Sequence, residues 1–123
     1  GWSRVESWGV WSEALVASLN LPLPADLGKK VALSIKGMAF LAGSHTSQMV
    51  QIFVNDELIS SVQFGLGEGD KTTEIDVPYE IINKDRKHMR IEFRQQTLVS
   101  PVELGVSADS RRLGFGLISI GVK

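Results

Sequence analysis

The chain has 123 residues, 43% hydrophobic and 22% charged, with 13 basic and 14 acidic residues that leave a net charge of −1, and it contains no cysteine. That length fits a single domain, residues 1–123, able to bury a core without covalent staples. Near-balanced charge spread along the sequence excludes the electrostatic footprint of a nucleic-acid or anionic-membrane binder, and the missing thiols exclude disulfides, thiol catalysis and thiolate metal sites.

The opening stretch Gly1 to Ser12 holds all three tryptophans, Trp2, Trp8 and Trp11, beside Arg4 and Glu6. Glycines and serines interrupt any strand or helix period, so the stretch reads as an ordered loop leading into the first strand. Its indoles either cap a core or offer apolar faces to a ligand, with Glu6 and Arg4 hydrogen bonding at the edge. Leu15, Ala17, Leu19 and Leu21 then alternate with smaller or polar residues up to Pro22 and Pro24, the mark of a half-buried strand. A turn over 25–29 leads to the clearest strand, in which Val31, Leu33, Ile35 and Gly37 alternate with Ala32, Ser34 and Lys36 as far as Phe40.

A small polar loop over 42–48 precedes two strands, 49–54 and 57–64, joined by Asn55-Asp56, a pair suited to a tight hairpin turn. The glycine-rich 65–71 stretch is a poor phosphate loop, because it is followed by the strand 72–77 and by no helix N-terminus. Residues 78–82 suit one helical turn, 83–87 a charged loop, and 89–94 a sixth strand with Met89, Ile91 and Phe93 on one face. The pattern lapses over 95–113, a loop length that is commonly functional, and returns in a last strand over 115–122. Seven short strands without an amphipathic helix predict an all-β fold, an antiparallel β-sandwich of jelly-roll type. Pairing of first strand with last would carry the tryptophan loop to the terminal strand and toward the 95–113 loop.

Chemistry for catalysis is sparse. His45 lies in a polar loop and His88 begins a strand, neither beside a recognisable nucleophile, and Glu68, Asp70 and Asp109 are too scattered for a calcium loop. We therefore expect no catalytic residue, no metal ligand set and no cofactor. No apolar run reaches the roughly 20 residues of a membrane span, and no basic-then-apolar leader is present, so the domain is not expected to insert into a membrane. What remains is a recognition surface. Sugars present C–H faces ringed by hydroxyls, and proteins meet them with aromatic platforms and planar polar partners. Trp8 and Trp11 are the candidate platforms, and Glu6, Arg94, Asp109 and Arg111, with Arg112 nearby, the candidate polar contacts. The competing reading makes the charged residues a solvated face or an internal bridge that ties a loop down.

Two segments carry a resemblance. Glu6-Ser7-Trp8-Gly9-Val10-Trp11-Ser12 and Arg111-Arg112-Leu113-Gly114-Phe115-Gly116, with Lys36-Gly37-Met38-Ala39-Phe40 more loosely, resemble the C-terminal domain of bacterial phosphoglycerol transferases that modify osmoregulated periplasmic glucans and of related surface-polysaccharide enzymes. The resemblance implies an extracytoplasmic accessory domain, excised from a larger membrane-bound protein, on the periplasmic side of a bacterial inner membrane; the expectation of a carbohydrate-binding-module-like sandwich comes from the strand pattern and the residue types above. The catalytic metal and nucleophile of those enzymes belong to a separate domain and fall on no residue of this chain. Two functions are thus expected: a non-catalytic glycan- or polysaccharide-binding domain serving a parent catalytic domain, or a structural domain that docks on its parent without a ligand. Parallel exposed indoles would favour the first, and buried indoles with a Glu6–Arg111 bridge the second.

Overall fold

The computed structural model describes residues 2–23, 30–82 and 88–122. The predicted turn at 25–29 and the charged loop at 83–87 lie outside the described residues. Among the described residues eight strands run in the order β1 (Val10–Trp11), β2 (Val16–Pro22), β3 (Lys30–Ala39), β4 (Ser47–Val54), β5 (Glu57–Gly65), β6 (Lys71–Pro78), β7 (His88–Gln95) and β8 (Phe115–Val122), with one helical turn, α1 (Tyr79–Ile82), between β6 and β7. They form two four-stranded antiparallel sheets, β1-β8-β3-β6 and β2-β7-β4-β5. Consecutive strands step between the sheets except at the β4–β5 hairpin, which stays within the second, and β1 and β8 close the roll as neighbours; this is the jelly-roll order.

Period-two alternation decides which side chains meet between the sheets. Val31, Leu33 and Ile35 from one sheet face Val50, Ile52, Val54, Met89, Ile91 and Phe93 from the other, all nearly inaccessible to solvent. Phe93 and Phe115 stack with centroids 4.7 Å apart, and Trp2 packs edge-on against Phe93 at 5.7 Å. Each such side chain contributes roughly 1.5–3 kcal/mol of burial, and this layer holds the sheets together. The β4–β5 hairpin turns on Asn55 (φ 48°) and Asp56 (φ 72°), the double left-handed geometry of a type I′ turn. Asn55 adds a side-chain bond from Nδ2 to the Ile81 carbonyl at 2.9 Å, fixing the turn to α1. Pro22 ends β2, an edge strand, where a missing donor costs little.

Two expectations are corrected. The strand predicted over 15–21 does not pair with the last strand: as β2 it lies beside β7, with Ala17 opposite Phe93. The last strand instead pairs with β1, two residues inside the tryptophan stretch that were expected to be loop, with Val10 opposite Leu117 and Trp11 opposite Gly116. A two-residue strand has no detectable period, and Gly9 and Ser12 at its ends mask its boundaries.

Candidate functional site

Residues 2–12 form a closed hairpin. Trp2 bridges Ser12, the Ser3 amide donates to the Trp11 carbonyl at 2.7 Å, and the Glu6 amide donates to the Gly9 carbonyl at 2.8 Å, leaving Ser7 and Trp8 at the tip. Trp2 turns inward, its Nε1–H donating to the Ser18 carbonyl at 2.8 Å. Val10 joins the core, and Trp11, next in the strand, turns outward onto the outer face of the first sheet. The outer face is open there because residue 116 is glycine. A Cβ on Gly116 would stand 2.9 Å from the Trp11 ring and 3.1 Å from the Trp8 ring, so its absence seats both indoles.

Above that seat the charged residues close on one another. Trp8 Nε1–H donates to Glu6 Oε2 at 2.8 Å, and Arg111 Nη1–H donates to Glu6 Oε1 at 3.1 Å. Arg111 also grips Asp109, through Nε at 3.0 Å and Nη2 at 2.8 Å, while its main-chain amide donates to the same carboxylate at 3.0 Å. These bonds from Arg111 hold the Asp109 carboxyl below the usual carboxylate range, and the two carboxylates raise the Arg111 guanidinium further above its already high value. Asp109 in turn anchors the turn-rich loop after β7, whose Val102 amide donates to the Asp109 carbonyl at 2.9 Å. The three charged side chains remain about a third exposed, at 32% for Glu6, 38% for Arg111 and 29% for Asp109. Arg111 commits three of its five N–H groups in this way and keeps one on Nη1 and one on Nη2.

Five of the six candidate residues, Glu6, Trp8, Trp11, Asp109 and Arg111, therefore meet in one cluster. Arg94 does not join them. It stands on the outer face of the second sheet, its Nε and Nη2 donating to Glu92 at 2.9 and 2.8 Å and its guanidinium lying 3.9 Å from the Phe53 ring centroid. The indoles of Trp8 and Trp11 are half-buried and meet edge to face, 4.9 Å apart at 68°, and Trp11 meets Phe40 at 87°. They make a corner, with no pair of parallel faces. Arg112 lies apart, its Nη2 donating to the Leu98 carbonyl at 3.0 Å, and Arg4 is exposed.

Two features escaped the sequence. Glu92, 5% exposed, is held from both sides by Arg90 (2.8 Å) and Arg94 (2.8 Å). The signal was the spacing Arg90-x-Glu92-x-Arg94, which puts all three on one face of a strand. The second is a buried amide chain: Gln95 Nε2 donates to Ser12 Oγ, Gln48 Nε2 to Gln95 Oε1 at 3.0 Å, and Thr97 Oγ1 to Gln48 Oε1 at 3.2 Å. Nothing in the local sequence joins residues so far apart. Among the described residues no group of three or more His, Asp or Glu side chains is placed to hold a metal ion. Nor is any helix there long and apolar enough to cross a membrane.

Similar structures share this architecture. The CBM36-1 domain of a multidomain xylanase from the hindgut metagenome of Trinervitermes trinervoides matches with a TM-score of 0.59 at 12% identity, over 100% of this chain and 85% of that one. A carbohydrate-binding module CBM36 in complex with calcium and xylotriose matches with 0.53 at 15% identity, over 100% and 87%. Latent PorU from Porphyromonas gingivalis matches with 0.58 at 15% identity over 94% of this chain, which spans only 10% of that protein. At these identities the likeness is one of fold. No curated protein sequence matches. One family covers the chain from end to end, residues 1–123, and the protein belongs to it: the family described as Domain of unknown function (DUF7024).

Proposed function

We propose that the domain is a non-catalytic carbohydrate-binding module, serving a bacterial enzyme that makes or modifies glycans on the periplasmic side of the inner membrane. The observation that carries it is the Trp8 corner. A half-buried indole is fixed by Glu6, and beside it Arg111 keeps two N–H groups directed by a carboxylate on either side. A sugar ring stacked on Trp8 meets donors and acceptors already oriented, so little ordering remains to oppose binding. The jelly-roll likeness to modules described as carbohydrate-binding supports the ligand class. The resemblance of the end motifs to phosphoglycerol transferases of periplasmic glucans supports the parent enzyme and the compartment.

The test is titration of the domain with soluble bacterial glucan and surface-polysaccharide fragments, followed by backbone amide NMR, for the native protein and for Trp8→Ala. Saturable shifts within residues 2–12 and 109–112, abolished in a Trp8→Ala protein that still gives a folded spectrum, are expected. Silence of these residues with every fragment at millimolar concentration would overturn the Trp8 site.

A second reading has its own observation. The crossed indoles and the closed Glu6–Arg111–Asp109 chain make an internal clasp, and Val5 (81%), Val102 (49%) and Val106 (56%) on the segments it joins stay exposed. Scattered aliphatics of this kind suit a domain that docks on its parent protein. Loss of fold in Trp8→Ala with no response to any sugar would favour it.

A further inference from the structure

The outer face of the second sheet carries chemistry that the Trp8 cluster leaves unused. Register places its side chains in rows across four strands: Val16, Arg94, Gln51 and Ser61 in one row, and Ser18, Glu92, Phe53 and Leu58 in the next. Alternation turns all of them outward, since their neighbours Ala17, Phe93, Ile52 and Val50 are buried. The guanidinium carbon of Arg94 stands over the Phe53 ring, 3.9 Å from its centroid, a cation–π contact that ties the two side chains together. The charges of this face are matched internally: Arg90 pairs with Asp56 and Glu92, and Arg94 with Glu92. Gln51 and Gln63 are exposed, and among the described residues neither side-chain amide has a hydrogen-bond partner. Beyond them, at the end of the face where β4 begins, Gln63, Gln96, Thr97, Met49 and Ser47 surround a cleft of about 230 Å³.

We propose that this face is a second glycan surface, which binds a neutral oligosaccharide laid across the strands with the Phe53–Arg94 pair as platform, Gln51 and Gln63 as hydroxyl partners, and the cleft beside Gln96 as the terminal subsite. The inference rests on the reading of the domain as carbohydrate-binding and adds to it a site on the opposite sheet. Neutral ligand follows from the matched charges, which leave no net field to attract an acidic or basic partner. Glycan follows from the mixture of one tethered platform with free amides, each able both to donate to and to accept from hydroxyls. The exposed aliphatics here, Val16 (45%), Met49 (49%) and Leu58 (52%), are separated by polar side chains and form no continuous patch for a protein partner.

The experiment is an amide and arginine-side-chain NMR titration of the whole domain with xylotriose and with neutral soluble glucan oligosaccharides. Native protein, Trp8→Ala, the double variant Gln51→Ala/Gln63→Ala, and Arg94→Lys are compared. The two glutamines are exposed, so their removal leaves the fold intact. Shifts at Gln51, Phe53, Gln63, Arg94 and Gln96 that persist in Trp8→Ala, and whose affinity falls roughly fivefold or more for each lost amide bond, support the second surface. Arg94→Lys keeps the charge and loses the guanidinium over the ring, and a matching loss there identifies the platform. Shifts confined to residues 2–12 and 109–112 overturn this inference and leave the Trp8 site standing. Shifts on the sheet face alone support it and remove the Trp8 site, and silence on both overturns both.

Discussion

Arg111 Nη1–H donates to Glu6 Oε1 at 3.1 Å across 105 positions of sequence, and this bond joins the loop after β7 to the hairpin that opens the chain. The side chains that make and flank that contact, Glu6, Asp109 and Arg111, are all partly exposed. The bond therefore governs local order more than global stability. Arg111→Ala is expected to speed exchange of the Val102 amide, which donates to the Asp109 carbonyl, by roughly tenfold while leaving buried strand amides such as those of Leu33 and Ile91 unchanged. Hydrogen exchange read by NMR checks both halves of the statement.

The clasp should resist acid. Arg111 holds the Asp109 carboxyl lowest in pKa when the loop is in place, so folding favours its ionised form. A depressed folded value means that the stabilisation is fully present above the unfolded carboxyl value of about 3.9 and is lost only as pH falls through the lower folded value. The carboxyl carbon of Asp109 is expected to titrate below that of a free aspartate, with the Val102 amide losing protection over the same lower range. In Arg111→Ala the midpoint should return toward the ordinary value.

Gly116 makes room for two indoles, and a side chain there has nowhere to go. Gly116→Val should displace Trp8 and Trp11 and destabilise the domain by about 1–3 kcal/mol, the usual cost of overpacking. Denaturant unfolding followed by tryptophan fluorescence reads both effects, since the emission of the displaced indoles should shift to the red before the unfolding transition begins.

Ser12 is fully buried, and its hydroxyl accepts from the Phe115 amide at 2.8 Å and from the Gln95 side chain. Ser12→Ala strands two buried donors and is expected to cost about 1–3 kcal/mol. A double cycle with Gln95→Leu measures the coupling: the second substitution should cost distinctly less in the Ser12→Ala background than in the native protein.

The sequence by itself determined the parts of this protein that depend on local periodicity. Alternation placed Val31, Leu33 and Ile35 and Met89, Ile91 and Phe93 on buried faces, and Asn55-Asp56 named its hairpin turn, because a period of two and a left-handed turn are properties of neighbouring residues. It also gathered Glu6, Trp8, Trp11, Asp109 and Arg111 as candidates by residue type and loop setting. Only the tertiary structure decided what those residues do to one another. That β1 rather than β2 pairs with β8, that Gly116 seats the indoles, that the indoles cross at 68°, and that Arg94 stands on the opposite sheet with Glu92 and Phe53 all follow from strand pairing across long separations. Pairing of that kind is selected by packing of the whole core, which no short window of sequence contains.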